Sequence, residues 1–234
     1  MPIKKGDFIL INYTAKVKET GDAFDTTDEE TAKQTKLHKE GEIYEPRLMV
    51  IGEGWIIKPV DEELPQLKPK KTTTIEIPPE QAFGPRDPQK VRMIPLRRLT
   101  NKGITPTLGQ RIEYDGKLAT VRTMGSGRVQ LDFNPPLAGK TLIYEVTLKK
   151  KIDTKNEKIS ALIHRRIPNI DIKKFKLKLT KKTTIITIPE EAFYLEGLQL
   201  AKRGTAMDIQ KFFPDITTVK FTETFKKETN AKQP

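Results

Sequence analysis

Lys71–Pro85 reads KTTTIEIPPEQAFGP. Threonine and isoleucine over Lys71–Ile77 make a strand, because β-branched side chains suit a pleated surface. Pro78-Pro79 ends it by removing two ladder donors. Ala82-Phe83-Gly84-Pro85 follows as the strand exit, and from Arg86 the texture of the chain changes. Upstream, Trp55–Leu67, WIIKPVDEELPQL, spaces Ile56, Ile57, Val60 and Leu64 for one face of a short helix, with Pro59 tolerated in its first turn. Before it come a strand over Arg47–Ile51, closed by Gly52-Glu53-Gly54, and a polar stretch, Thr27–Glu45, that reads as a surface loop or short helix. Asp7–Val17, DFILINYTAKV, reads as the first long strand and leads through a turn at Glu19–Asp22 to Phe24-Asp25.

Downstream, Val91–Leu99 is a short apolar stretch with arginines. Three short strands are expected at Gln110–Tyr114, Lys117–Arg122 and Arg128–Phe133, joined by Asp115-Gly116 and Gly125-Ser126-Gly127. After the loop Asn134–Gly139, Thr141–Lys149 alternates with Leu142, Tyr144, Val146 and Leu148 on one face. The remainder reads as a separate α+β module of about eighty residues. It has a helix over Glu157–Arg166, strands near Lys173–Leu179 and Thr183–Pro189, a helix around Leu195–Phe213, and a strand at Thr217–Phe225 before a frayed tail.

Composition removes whole classes of chemistry. None of the 234 residues is cysteine, which excludes disulfides, thiolate metal sites and cysteine nucleophiles, and the two histidines, His38 and His164, argue against histidine metal clusters and a serine–histidine triad. No apolar run approaches the ~20 residues of a membrane span, and the N-terminus has no secretory pattern, so a soluble cytoplasmic protein without membrane contact is expected. The net charge of +12 is unevenly placed: residues 86–130 and 153–234 each carry +7, and the rest −2. The charge boundaries thus agree with the change in texture.

One internal echo, KKTTTIEIPPEQAF (Lys70–Phe83) against KKTTIITIPEEAF (Lys181–Phe193), has no further matches around it. It reads as threonine–isoleucine strand chemistry ended by proline rather than as a repeat.

The order of these pieces resembles an FKBP-type peptidyl-prolyl isomerase. The residues concerned are Tyr13 on the first long strand, Phe24-Asp25, Gly52 before a short helix, Ile56-Ile57, Ala82-Phe83-Gly84 and Tyr144 on the last strand. The insertion after Ala-Phe-Gly, with return through Leu137-Ala138-Gly139, is similar to SlyD-like members that carry an insert-in-flap (IF) chaperone domain, and the C-terminal module resembles the long archaeal form. The resemblance implies an α+β fold with a twisted antiparallel sheet wrapped on a short helix. It divides the chain into an isomerase domain (1–85 plus 131–152), a small β-rich insert (86–130) and a C-terminal α+β domain (153–234).

The resemblance further implies that Tyr13, Phe24, Asp25, Ile57, Phe83 and Tyr144 form the catalytic set, with Met49, Ile56, Val60, Ala82 and Leu137 binding substrate. Val60 would be the floor, where many relatives place a tryptophan; Trp55 aligns outside the helix. Taken alone, Tyr13, Val60 and Tyr144 would be core residues in any small β-rich domain, and Asp25 could cap a turn. Phe83 stands where a tyrosine is common and Gln81 where an aromatic often stands, which bears on macrolide-inhibitor affinity more than on isomerisation. The metal-binding tail of some SlyD relatives is missing, and no metal or cofactor is expected.

For the insert, the resemblance implies a chaperone surface drawn from Val91, Met93, Ile94, Leu96, Leu99 and Ile104, some of which must also fill the insert's own core. The partners expected are unfolded or nascent chains containing proline. The two basic segments allow weak ribosome association, or an RNA-associated protein on a weakly active isomerase scaffold, although no RNA-binding aromatic motif or zinc finger is present. Phe193-Tyr194-Leu195 and Phe212-Phe213 in the C-terminal module suggest homodimerisation, a second substrate surface, or its core.

Overall fold

The structure, a computed structural model, describes residues 3–226; residues 227–234, most of the tail expected after the last strand, lie outside it. A five-stranded antiparallel sheet is built from β1 (Phe8–Val17), β2 (Ala23–Thr26), β3 (Arg47–Val50), β4 (Thr72–Ile77) and β9 (Leu142–Ile152). Strands β2 and β3 share one side of β1, and β9 lies between β1 and β4 although it is the last of these five in the chain. The register sets Ala15 and Ile75 opposite Tyr144, and Tyr13 opposite Val146. Because side chains alternate along a strand, this places Tyr13, Ala15, Ile75, Tyr144 and Val146 on one face. That face is covered by α2 (Lys58–Glu63) through the fully buried Val60 and by Leu64 just after it.

Helix α2 is shorter than the spacing predicts. Ile57 is its N-cap and Pro59 sits in its first turn, so Ile56 and Ile57 belong to the turn that feeds the helix. The polar stretch before β3 contains α1 (Glu29–Gln34), whose N-cap Asp28 accepts from the Thr31 N–H at 2.8 Å.

The insert folds as β5 (Val91–Pro95), α3 (Leu96–Thr100), β6 (Arg111–Tyr114), β7 (Lys117–Gly125) and β8 (Arg128–Asp132), with strand order β5-β8-β7-β6. The apolar stretch Val91–Leu99 therefore divides into a strand and a helix at Pro95, and the insert has four strands rather than three. Its two connections to the main sheet are tied together. The Gly139 N–H donates to the Gly84 carbonyl at 2.8 Å. The buried Asp132 carboxylate accepts from Arg86 at 2.9 Å, Arg122 at 3.1 Å and the Asn134 side chain at 2.8 Å. Asn134 in turn bonds the Asp87 backbone in both directions.

The C-terminal unit comprises α4 (Lys155–Arg166), β10 (Lys176–Leu179), β11 (Thr183–Thr187), α5 (Leu198–Phe212) and β12 (Thr218–Thr222). β11 pairs antiparallel with β10 and parallel with β12, and α5 makes the crossover that a parallel pair requires. Its core, including Ile159, Leu162, Ile163 and Ile209, is continuous with Phe8, Leu48, Val50 and Ile152 on the outer face of the main sheet. The Phe8 ring meets Phe212 edge-on at 5.2 Å, and Lys151 pairs with Asp7 at 2.7 Å. The echoed segments share a strand, a proline and a one-turn helix, but β4 is antiparallel to its one partner whereas β11 is the centre of a mixed sheet. The likeness is local.

Candidate active site

The inner face of the main sheet brings together residues from five parts of the chain. Tyr13 and Tyr144, both buried, face each other across β1 and β9 with ring centroids 5.8 Å apart, and Phe24 meets Tyr144 edge-on at 6.1 Å. The Tyr13 hydroxyl donates to Asp25 Oδ2 at 2.6 Å and accepts from Arg47 Nη1 at 2.5 Å. Arg47 also lies 3.6 Å from Asp25 and 5.5 Å from the Tyr13 ring centroid. Burial, then the hydrogen bond and charge of Asp25, push the Tyr13 phenol far above its usual range; burial and the Asp25 charge push Tyr144 up to about 12. Both phenols therefore stay protonated at neutral pH, as donors.

Local geometry explains how these groups are held. A register shift after Ala15 sets the β1–β2 pairing, and Thr27 locks the far end: its hydroxyl accepts from the Tyr13 N–H at 2.9 Å, and its N–H donates to the Tyr13 carbonyl at 3.0 Å. The turn before α2 runs through Gly52 and Gly54, both at positive φ. Asp61, buried on α2, accepts from the N–H groups of both glycines at 3.1 Å and fixes the entry of Trp55, Ile56 and Ile57. Among the described residues no hydrogen bond takes up the Ile57 N–H.

Val60 and Met49 lie fully inside the core beneath this surface, while Phe24, Ile56, Ile57, Ala82 and Leu137 are half-buried against it. Phe83 stands apart: it is 46% exposed and does not pack on the core. Trp55 is not a floor for the site; its ring meets Phe212 at 5.8 Å and lies beneath Arg165 at 3.8 Å, at the junction with the C-terminal unit. The sequence reading missed Arg47 and Asp61. An arginine heading the apolar strand RLMV was a usable signal, whereas Asp61 is indistinguishable from Glu62 and Glu63 beside it.

The six insert residues read as a chaperone surface separate into three groups. Leu99 and Ile94 are buried in the insert's own core with Val121, Val129 and Leu131, so they offer no surface, because a four-stranded sheet needs one filled face. Leu96 and Ile104 are half-buried against the same core, and Val91 is half-buried on β5. Met93 is 51% exposed, and Leu108, Leu118 and Met124, none of them expected, are exposed as well.

Comparison with known proteins agrees with this architecture. Residues 155–226 match the family described as FKBP26_C-terminal, and residues 92–137 match the FKBP26 IF domain. The chain is 32% identical over 147 residues to a short-type peptidyl-prolyl cis-trans isomerase of Methanocaldococcus jannaschii, covering 63% of this chain and 92% of that one. It is 31% identical over 109 residues to a probable FKBP-type 16 kDa peptidyl-prolyl cis-trans isomerase of Pseudomonas fluorescens, covering 44% of this chain and 71% of the relative. The crystal structure of the three FKBP domains of wheat FKBP73 aligns at a TM-score of 0.34 and 18% identity, over 66% of this chain and 42% of the wheat chain, so this chain spans under half of that protein. On the curated likenesses and the two matched domains, the chain belongs to the FKBP-type peptidyl-prolyl cis-trans isomerases.

Proposed function

We propose that this isomerase rotates X–Pro bonds in unfolded or nascent polypeptides by offering the twisted amide an apolar, water-poor surface, while the insert holds the chain nearby. Amide resonance sets a barrier of ~18–20 kcal/mol, because twisting the bond removes that resonance. A planar amide, with its larger charge separation, is better solvated by water than the twisted form, so a dry surface formed by Phe24, Ile57 and Tyr144 over the buried Val60 favours the transition state. Each tenfold acceleration requires about 1.4 kcal/mol of this preference. The Ile57 N–H, free of a partner among the described residues, holds a substrate carbonyl beside the proline. Asp25 and Arg47 keep the Tyr13 hydroxyl oriented. No covalent step and no cofactor enters this scheme.

The observation that carries the reading is the convergence of Tyr13, Phe24, Asp25 and Tyr144 over Val60. Its test is peptide isomerisation together with refolding of a protein limited by proline isomerisation; absence of both activities in the folded full chain would sink it. Capture by the insert rests on exposed Met93, Leu118 and Met124, since flexible methionines adapt to varied apolar partners.

One observation favours a second reading, weak association with RNA or the ribosome. In the insert, Lys90, Arg92 and Lys117 form no ion pair with any described acidic group and line a cavity of about 330 Å³ with Tyr114 and Phe133. Steep loss of RNA binding with salt, in a protein without peptide turnover, would favour that reading. For self-association, the exposed Leu200 and Met207 lie seven residues apart on α5 and so on one helical face, with exposed Tyr194 shortly before the helix; a second copy would cover them. No helix among the described residues is long and apolar enough to cross a membrane, and a cytoplasmic location fits the clients proposed.

A further inference from the structure

A cavity of about 720 Å³ lies behind the active site, between the main sheet and α4. Its walls include Leu10, Leu48, Trp55, Ser160, His164 and Arg165. Three features distinguish it from a packing defect. The consecutive residues 45–49 all line it. Successive side chains on a strand point to opposite faces, so a space that touches Arg47, Leu48 and Met49 of β3 together, with the two residues before them, meets the strand along its edge. Among the described residues β3 pairs with β1 alone; the Glu53 N–H takes the Val50 carbonyl, and the remaining backbone groups of its other edge are left for a further strand. Next, His164 Nε2 is engaged with Glu45 Oε1 at 2.7 Å while its Nδ1 is buried without a partner. Finally, Arg47 belongs to both places: it lines the cavity and donates to the Tyr13 hydroxyl in the active site.

We propose that this cavity is a second docking groove for the same substrate chain: an extended segment flanking the proline pairs with the free edge of β3 and buries an apolar side chain against Trp55. An extended peptide satisfies the strand edge as the occupant, because main-chain hydrogen bonds give it affinity without sequence preference while the pocket selects one side chain. Continuity through Arg47 makes the occupant the same chain rather than an independent ligand. The proposal rests on the isomerase reading above, since it assumes that a polypeptide lies in the neighbouring site.

The chain contains a single tryptophan, Trp55, so emission reports on the groove directly. The test titrates the full chain with a tryptophan-free peptide carrying one central Ala-Pro bond and extended on both sides, and separately with its tetrapeptide core. The long peptide should shift Trp55 emission and the tetrapeptide should not. Ser160→Phe, which fills the groove from α4, should weaken the long peptide by about tenfold or more, while tetrapeptide turnover stays unchanged. Ala161→Phe repeats the test should the first variant unfold, and thermal unfolding checks both. No emission change with the long peptide, or an equal change in the Ser160→Phe protein, overturns the proposal. So does an emission change on raising protein concentration alone, which would assign the groove to a second copy. Absence of tetrapeptide turnover in the unmodified chain would instead strike the isomerase reading, and the titration would still decide the groove.

Discussion

The Tyr13 hydroxyl points at Asp25, donating a 2.6 Å hydrogen bond across the β1–β2 pair, so that the most buried phenol of the site is held by a carboxylate that is 39% exposed at its side chain. The bond fixes the ring while leaving the carboxylate in contact with water, and Arg47 completes it from β3. The phenol is thereby a donor of fixed direction on a surface that otherwise has apolar walls.

Removing that hydroxyl should cost activity more than stability. Tyr13→Phe leaves the ring in place and releases a carboxylate that water can reach, so thermal unfolding should fall by only about 1 kcal/mol. Asp25→Ala frees the phenol and should lower kcat/KM on a proline tetrapeptide by about tenfold, equivalent to about 1.4 kcal/mol in the transition state. A full-rate Asp25→Ala protein would remove Asp25 from the site.

The tetrapeptide reaction should be nearly independent of pH between about 6 and 9. Tyr13 and Tyr144 are both pushed above their usual range, Tyr144 to about 12, so neither phenol loses its proton there. A bell-shaped profile centred in this window would reveal a titrating group in the reaction and contradict the mechanism.

Asp61 should behave as a positioning residue. Asp61→Ala leaves the Gly52 and Gly54 N–H groups without their acceptor, at a cost of about 1.5–3 kcal/mol. The loosened turn carries Ile56 and Ile57, so kcat/KM should fall as well. Asp61→Asn retains an acceptor oxygen and should recover part of both. If the two variants lost stability equally while activity stayed intact, the turn would have no role in the site.

The joint between insert and main sheet should weaken in acid. Burial disfavours the Asp132 carboxylate, but hydrogen bonds from Asn134, Arg86 and Arg122 outweigh this and hold it down at about 2. An ordinary unfolded aspartate titrates near ~3.9, so the folded value is depressed and the contribution is complete above about pH 4. It is lost as pH falls through about 2, and amounts to roughly 2–3 kcal/mol. Asp132→Asn should therefore destabilise clearly at neutral pH, with the gap from the unmodified protein narrowing in acid. A gap independent of pH would show that the charge is not what holds the joint.

Two substitutions in the insert should separate core from surface. Leu99→Ala opens a cavity in a fully buried position and should cost about 2–5 kcal/mol. Met93→Ser, at an exposed position, should change stability by less than about 0.5 kcal/mol while slowing refolding of an unfolded protein client. Replacing 86–130 with a short loop should abolish most of that refolding activity and leave tetrapeptide turnover. Unchanged refolding in both Met93→Ser and the loop-replaced protein would place client capture elsewhere.

Local sequence determined much of this protein. The Thr/Ile alternation of Lys71–Ile77, the proline stop, the turn chemistry at Asp115-Gly116 and the alternation of Leu142, Tyr144, Val146 and Leu148 all depend on near neighbours, and they yield strands where they were read. The aromatic and carboxylate members of the proposed site were read from their order along the chain. Tertiary structure decided the rest, because those features arise between residues far apart. Arg47 joins the site through Tyr13, thirty-four positions away, and of the acids Asp61, Glu62 and Glu63 only Asp61 faces the glycine turn. The sequence of Asp7–Val17 reads as a strand and no more. Only the packing of α4 and α5 against Phe8, Leu48 and Val50 supplied the second cover, and with it the cavity behind the site: a strand's own sequence fixes which residues alternate, but not what comes to lie against each face.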